Sequence, residues 1–207
     1  MNIKKFVLGM FQVNCYVGWC ENTKKAFMVD PGLFSQKIVD YIKENKLDLG
    51  YIILTHAHGD HIGGLPNMLD IFDAKVITHE DEAFILRDPR MNFSGQMFSQ
   101  PIAIEPDRVV KDGEIIEVGD LKLTVIHTPG HTPGGMCLYS KPHLFSGDTL
   151  FAQSIGRTDF PLSSTEDLFK GIKEKLYALP HDTKVYSGHG PDTEIGYEKR
   201  NNMFVRG

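Results

Sequence analysis

The chain has 207 residues, 41% of them hydrophobic, enough for one substantial core or at most two small ones. A formal net charge of -5, a pI near 6.0 and no run of basic residues exclude a general nucleic-acid binder, which needs a basic face. No apolar segment reaches the roughly 18 residues a membrane span needs, and Gly9 and Gln12-Val13-Asn14 interrupt the N-terminal stretch too early for a signal peptide, so the expected address is the cytoplasm.

In chain order, strands are expected over 5–8, 14–19 and 26–29, with Asp30-Pro31-Gly32 as a turn. A helix follows over 35–45, with Ser35 able to cap it and Ile38, Val39 and Ile42 forming its apolar face. The apolar run 51–54 reads as a strand buried on both faces. A helix over 60–71, a strand over 75–78 and a short helix over 81–87 come next. Residues 88–106 carry no period and read as a long loop, either functional or an ordinary surface excursion. A hairpin is expected over 109–118 around Lys111-Asp112-Gly113, then strands over 121–127, 135–139 and 143–146. The last clear helix spans 165–179, with Leu168, Phe169, Ile172, Leu176 and Tyr177 on one face, before a strand over 184–187 and a short helix in the polar tail 194–206. A strand-rich centre covered by helices on two sides fits an α/β fold of four layers, αββα, in a single domain over 1–207; the pattern also permits an ordinary α/β domain.

Three cysteines, Cys15, Cys20 and Cys137, match neither a disulfide framework nor a zinc-ribbon spacing and read as small buried hydrophobes. The histidines are more telling. Thr55-His56-Ala57-His58-Gly59-Asp60-His61 places three imidazoles and a carboxylate directly after an apolar run, and these are the donors a borderline cation such as zinc prefers. In an extended loop His56 and His58 point the same way, while Asp60 and His61 begin a helix where the backbone turns. More donors stand at the ends of other apolar runs, each beside Gly or Pro: His131 in Thr128-Pro129-Gly130-His131, Asp148 after Ser146-Gly147, and His189 after Ser187-Gly188. His79, His143 and His181 read as structural or surface residues, and His127, at a strand end, as core or as support for the site.

The ordered set HxHxDH, TPGH, Gly-Asp and Gly-His resembles the signature of the metallo-β-lactamase superfamily, with the likeness running from Val29-Asp30-Pro31-Gly32 to His189. Within that superfamily the chain is similar to short glyoxalase II-like hydrolases. The resemblance implies the four-layer αββα metallo-β-lactamase sandwich. It implies His56, His58 and His131 on one divalent metal ion, Asp60, His61 and His189 on a second, and Asp148 bridging the two. Zinc suits these ligands best, and iron or manganese suits them too. The implied reaction is hydrolysis of a thioester such as S-lactoylglutathione by a metal-bridging hydroxide, with Asp60 and Asp148 as the carboxylates that orient it. The implied partner is thus a small-molecule thiol conjugate, with no nucleic acid and no membrane; the oligomeric state is left open.

Two further residues belong to this picture. Asp30 is expected to fix the metal-bearing loops through hydrogen bonds rather than to bind metal. Arg157, in Gly156-Arg157-Thr158-Asp159-Phe160, is either a fork for a substrate carboxylate or a salt-bridge partner of Asp159. Only about eighteen residues follow His189, whereas longer glyoxalase II enzymes carry a C-terminal helical domain that helps bind glutathione. The same ligand set serves two alternatives: a mononuclear-iron persulfide dioxygenase, which shares an Arg-Thr-Asp-Phe stretch, and a lactonase. A true β-lactamase fits less well, for want of a secretion signal. An RNA-processing member would need an inserted nuclease domain, and a binding module would be expected to have lost ligands.

Overall fold

The computed structural model describes the whole chain, Met1–Gly207. Two six-stranded sheets lie face to face. The first has spatial order β1 (Asn2–Leu8), β2 (Val13–Trp19), β3 (Lys25–Val29), β4 (Asp48–Ile53), β5 (Lys75–His79) and β6 (Arg108–Val110). Its first three strands pair antiparallel, and β3 to β6 run parallel. The second sheet contains β7 (Ile115–Val118), β8 (Leu121–His127), β9 (Met136–Ser140), β10 (His143–Gly147), β13 (Lys184–Ser187) and β14 (Thr193–Glu194). Within it only β10 and β13 are parallel. A two-strand ribbon, β11 (Leu150–Phe151) with β12 (Ser154–Ile155), follows β10.

The side chains sort into three apolar layers, and these define the four-layer αββα sandwich. Strand residues alternate between faces. In β9, Met136 and Leu138 enter the core between the sheets, with Phe27, Val29, Ile53, Ile77 and Phe145. Cys137 faces the other way, into a layer formed with Leu144 and Val185 beneath α6 (Thr165–Lys170) and α7 (Ile195–Asn201). The outer face of the first sheet, through Val17, Met28, Ile52 and Val76, carries α1 (Gln36–Glu44), α2 (Gly59–Ile62), α3 (Leu65–Ile71) and α4 (Ala83–Arg87). Strand β4 is buried on both sides as its apolar run predicts: Ile52 packs under the helices and Ile53 between the sheets. Burying each such aliphatic side chain stabilises the fold by about 1.5–3 kcal/mol. All three cysteines are buried and unpaired, and no helix is long and apolar enough to cross a membrane.

Several expectations need correction. Residues 109–118 form no hairpin. Strand β6 pairs with β5 in the first sheet and β7 with β8 in the second, so the Lys111-Asp112-Gly113 turn carries the chain from one sheet to the other. Both arms still bury their apolar residues, because Val110 and Ile116 enter the same core between the sheets. The helix expected over 60–71 breaks into α2 and α3 at Gly63-Gly64. There the Asp30-Pro31-Gly32 turn comes so close that a Cβ on Gly63 would lie 2.3 Å from the Gly32 carbonyl and one on Gly64 2.5 Å from the Leu33 backbone. The helix expected over 165–179 is α6 followed by a π-helical turn, Gly171–Leu176. Ser35 occupies the cap position of α1 but its side chain makes no capping bond. The segment 88–106 contains one short helix, α5 (Ser94–Met97), and packs over α2: the Gly59 N–H donates to the Asn92 carbonyl at 2.7 Å.

Candidate metal centre

The rim at the carboxyl ends of the parallel strands is where open α/β sheets present ligand-binding loops. Asp30 follows β3, His56 and His58 follow β4, Asp148 follows β10 and His189 follows β13. His131 arrives on the loop after β8. Five of the seven predicted donors, His58, Asp60, His131, Asp148 and His189, line one cavity of about 240 Å³ together with Phe151, Arg157 and Phe160, and the buried His56 and His61 cluster with them.

The donors fall into two groups. Donor atoms of His56, His58 and His131 lie within 4.8 Å of one another, and so do those of Asp60, His61 and His189. Asp148 stands between them: Oδ1 is 3.3 Å from His61 Nε2, and Oδ2 is 3.7 Å from His131 Nε2 and 3.6 Å from His189 Nε2. In the first group His58 Nδ1 and His131 Nε2 are 2.9 Å apart, and in the second His61 Nε2 and His189 Nε2 are 3.2 Å apart. Donors on one tetrahedral zinc, with bonds of about 2.0–2.1 Å, would be roughly 3.3 Å apart.

The backbone brings these groups together by close approach. A Cβ on Gly188 would lie 2.3 Å from Asp148 Oδ1, so only glycine lets the β13 loop reach the carboxylate.

The outward-facing nitrogens are held by the protein, which fixes the tautomers. His61 Nδ1–H donates to Asp30 Oδ2 at 3.0 Å, His131 Nδ1–H to the Arg157 carbonyl at 2.7 Å, and His189 Nδ1–H to the Phe11 carbonyl at 3.0 Å. Each Nε2 is thereby left with its lone pair toward the centre. Asp30 is itself anchored by the Thr55 N–H at 2.8 Å and hydroxyl at 2.6 Å. Asp30, His56 and His61 also cluster within donor range, but both Asp30 oxygens are engaged in this way.

Two buried polar atoms at the centre, His56 Nε2 and Asp148 Oδ1, have no hydrogen-bond partner. Buried polar groups are almost always paired. Orphaned atoms among converging imidazoles and carboxylates are what a cation satisfies, so the donor set fits a divalent metal.

Electrostatics separate the two groups. Burial pushes His56 well below the usual imidazole range, and the neighbouring imidazoles push it further. Burial and His131 bring His58 down to about 3. His61 moves the other way: burial opposes its charge, but Asp148 and Asp60 beside it raise it well above the usual value. For His189 burial is outweighed by the hydrogen-bond acceptor that Asp60 offers its ring and by the Asp148 charge, so it is raised as well. Burial would raise Asp148, but His61, His131 and His189 hold it well below the ordinary carboxylate range, and His61 and His189 do the same more mildly for Asp60.

Arg157 lines the cavity, yet its exposed guanidinium forms a fork with Asp159 at 2.9 and 2.7 Å and stacks 4.5 Å from the Phe160 ring. Of the two expectations for it, the structure shows the salt bridge to Asp159. Phe93 and Phe160 flank His58, with ring centroids 5.2 and 5.1 Å away, so the 88–106 segment packs against one of the donor rings.

One residue that sequence reasoning missed is Glu82, fully buried behind the centre. Its Oε1 accepts the Ala57 N–H at 2.8 Å, and Oε2 accepts the Thr132 hydroxyl at 2.8 Å and the Gly134 N–H at 2.9 Å. It thus joins the loop of His56 and His58 to the loop of His131. Burial pushes its carboxyl up to about 7, against the pull of those three donors. A further donor group, His79, Asp81 and His127, is structural. The two rings stack in parallel at 3.8 Å, His79 Nδ1 accepts the Asp81 N–H and His127 Nε2 reaches the Pro133 carbonyl, so their lone pairs share no common target. His143 contacts the Tyr186 hydroxyl, and His181 is exposed.

Known proteins similar to this chain identify its family. The family model of the Metallo-beta-lactamase superfamily matches residues 8–189. A probable metallo-hydrolase, YqgX of Bacillus subtilis, is 38% identical, covering 100% of this chain and 99% of its own. The hydroxyacylglutathione hydrolase GloC of Haemophilus influenzae is 36% identical, covering 99% and 98%. Among solved structures, the BLEG-1 B3 metallo-beta-lactamase superposes with a TM-score of 0.92 at 38% identity over 100% of both chains. TTHA1623 in a di-iron-bound form gives 0.85 at 32%, covering 98% and 100%, and ETHE1 from Myxococcus xanthus 0.82 at 27%, covering 98% and 84%. The chain belongs to the metallo-β-lactamase superfamily.

Proposed function

We propose that the chain is a binuclear metal-dependent thioester hydrolase, acting on S-lactoylglutathione or a related thiol conjugate in the cytoplasm. The observation that carries this reading is the placement of Asp148 within 3.3–3.7 Å of nitrogens from both donor groups. The likeness to a hydroxyacylglutathione hydrolase over nearly the whole chain supports the substrate class. His56, His58 and His131 would hold one ion, Asp60, His61 and His189 the other, with Asp148 shared. Zinc is the ion the ligands favour, and iron or manganese is compatible with them. Bound ions of this kind bring the pKa of a shared water toward about 7 and polarise a carbonyl.

The chain's own residues do the rest. Asp60 and Asp148 border the cavity as carboxylates, orient the attacking water and relay its proton to the leaving sulfur. Asp30 keeps the His61 ring fixed through Nδ1. The water oxygen bonds to the carbonyl carbon, the carbon–sulfur bond breaks, and the thiol and the carboxylic acid leave. Arg157, once it exchanges Asp159 for substrate, receives a carboxylate of the thiol arm. Free cysteines at three buried positions are compatible with a reducing compartment.

The test is hydrolysis of S-lactoylglutathione by protein of measured metal content. Turnover is expected, and none with zinc or iron bound contradicts the reading. Two other readings are carried by particular likenesses, β-lactam hydrolysis by that to BLEG-1 and persulfide oxygenation by that to ETHE1. A chromogenic cephalosporin and oxygen uptake on glutathione persulfide, assayed on the same sample, discriminate among the three.

A further inference from the structure

A second cavity, of about 230 Å³, adjoins the metal centre, and Asp60 lines both. Its other walls are almost wholly apolar: Leu8, Met10, Phe11, Leu33, Met97 and Phe98. Asp60 is its only charged wall residue, whereas the centre's own cavity carries Arg157. Leu8 is buried at the back of the pocket, while Met10, Phe11 and Leu33 are 87%, 53% and 41% exposed. Exposed apolar patches of this kind mark binding grooves.

The turn that carries Met10 and Phe11 is tied to the centre itself. The Phe11 carbonyl accepts His189 Nδ1–H, Val13 bridges to His189, and the Asn14 N–H donates to the Gly188 carbonyl at 2.7 Å. The pocket therefore lies at a fixed distance from the reacting atoms.

A substrate whose carbonyl sits at the metal centre has two arms. The arm directed at Arg157 meets a cation, and the arm directed past Asp60 meets only hydrocarbon, sulfur and an anionic wall. We infer that this second cavity is the acyl pocket of the enzyme and that it selects uncharged, apolar acyl thioesters over the small, polar 2-hydroxyacyl group. The inference rests on the thioesterase reading and deepens it.

Two measurements on the metal-loaded protein test the pocket. The first is kcat/KM for acetyl, butanoyl, hexanoyl and D-lactoyl thioesters of glutathione. A rise of about fourfold per added methylene is expected until the pocket is filled. The second needs no turnover: binding of the thioethers S-methylglutathione and S-hexylglutathione by calorimetry, with the methyl signals of Met10 and Met97 followed by NMR. The hexyl compound is expected to bind at least tenfold more tightly and to shift both signals. Leu33→Ser and Met10→Ser, at exposed positions where folding is not in question, should each flatten the acyl series and shrink the hexyl preference.

Equal binding of the two thioethers, or a preference both variants leave intact, overturns the pocket. So does a dimer broken by Leu33→Ser with thioether binding unchanged, which would assign the face to a second copy of the chain. A hexyl preference without hydrolysis of any thioester contradicts the thioesterase reading and leaves the apolar pocket standing, so the two failures are distinguishable.

Discussion

The two ends of the sandwich have similar ingredients and opposite characters. At the strand amino ends, Lys25, Asp48, Asp73, Lys75 and Glu117 line a cleft of about 330 Å³, larger than the 240 Å³ cavity at the other rim. Lys25 and Asp48 form an ion pair there, with both side chains more than half exposed. At the carboxyl ends His56, His58, His61 and His131 are buried, Asp60, Asp148 and His189 are partly so, and two buried atoms, His56 Nε2 and Asp148 Oδ1, have no partner. Volume does not distinguish a site. What distinguishes it is polar groups that the fold desolvates, aims at one another and leaves unsatisfied, since such an arrangement is stable only when something else completes it.

Substitutions at the two ends should therefore differ by orders of magnitude. Asp148→Ala should have the largest effect, lowering kcat/KM by at least about 10³-fold, or roughly 4 kcal/mol, together with metal content measured by mass spectrometry. Glu82→Ala comes next. It strands the Ala57 N–H, the Thr132 hydroxyl and the Gly134 N–H, each costing about 1–3 kcal/mol if left unpaired. The melting temperature should fall by several degrees, and metal affinity should fall as the loops of His56, His58 and His131 lose their link. Asp30→Asn, which weakens the hold on His61 without removing a proposed ligand, should cost about 10–100-fold in metal affinity by titration. Arg157→Ala should raise KM about three- to tenfold with kcat nearly unchanged, because the fork must leave Asp159 to meet substrate and so contributes only part of its pairing energy. Lys25→Ala at the far cleft should change stability by less than about 1 kcal/mol and leave turnover unaltered, as an exposed ion pair does. A large effect there would break the contrast between the two ends.

The proposed donors were legible because each follows an apolar run and stands next to Gly, Pro or another donor, which places it on the rim of a sheet. The order of strands and helices fitted four layers but also permitted an ordinary α/β domain, and the resemblance of the donor motifs to the superfamily singled out the sandwich. Other features were not. Glu82 closes the run Glu80-Asp81-Glu82, which reads as a solvated helix start, and only the fold shows that its third member is buried while Glu80 and Asp81 remain exposed. A three-residue strand such as Arg108–Val110 does not declare which sheet it joins, because local sequence specifies a strand's faces and not its neighbour. The break at Gly63-Gly64, by contrast, had a signal in the sequence: two adjacent glycines with Pro66 two residues on, which the apolar period outweighed. The acyl pocket had none, since Met10, Leu33 and Met97 come from three separate segments.

The central claim is that the buried, unpaired donors at the carboxyl-end rim hold two divalent ions. The most direct measurement is metal stoichiometry after zinc reconstitution, on the natural chain, on Asp148→Ala and on Lys25→Ala. About two ions per chain are expected in the first and third and a clear loss in the second. No bound metal in the natural chain, or equal content in Asp148→Ala, would contradict the claim.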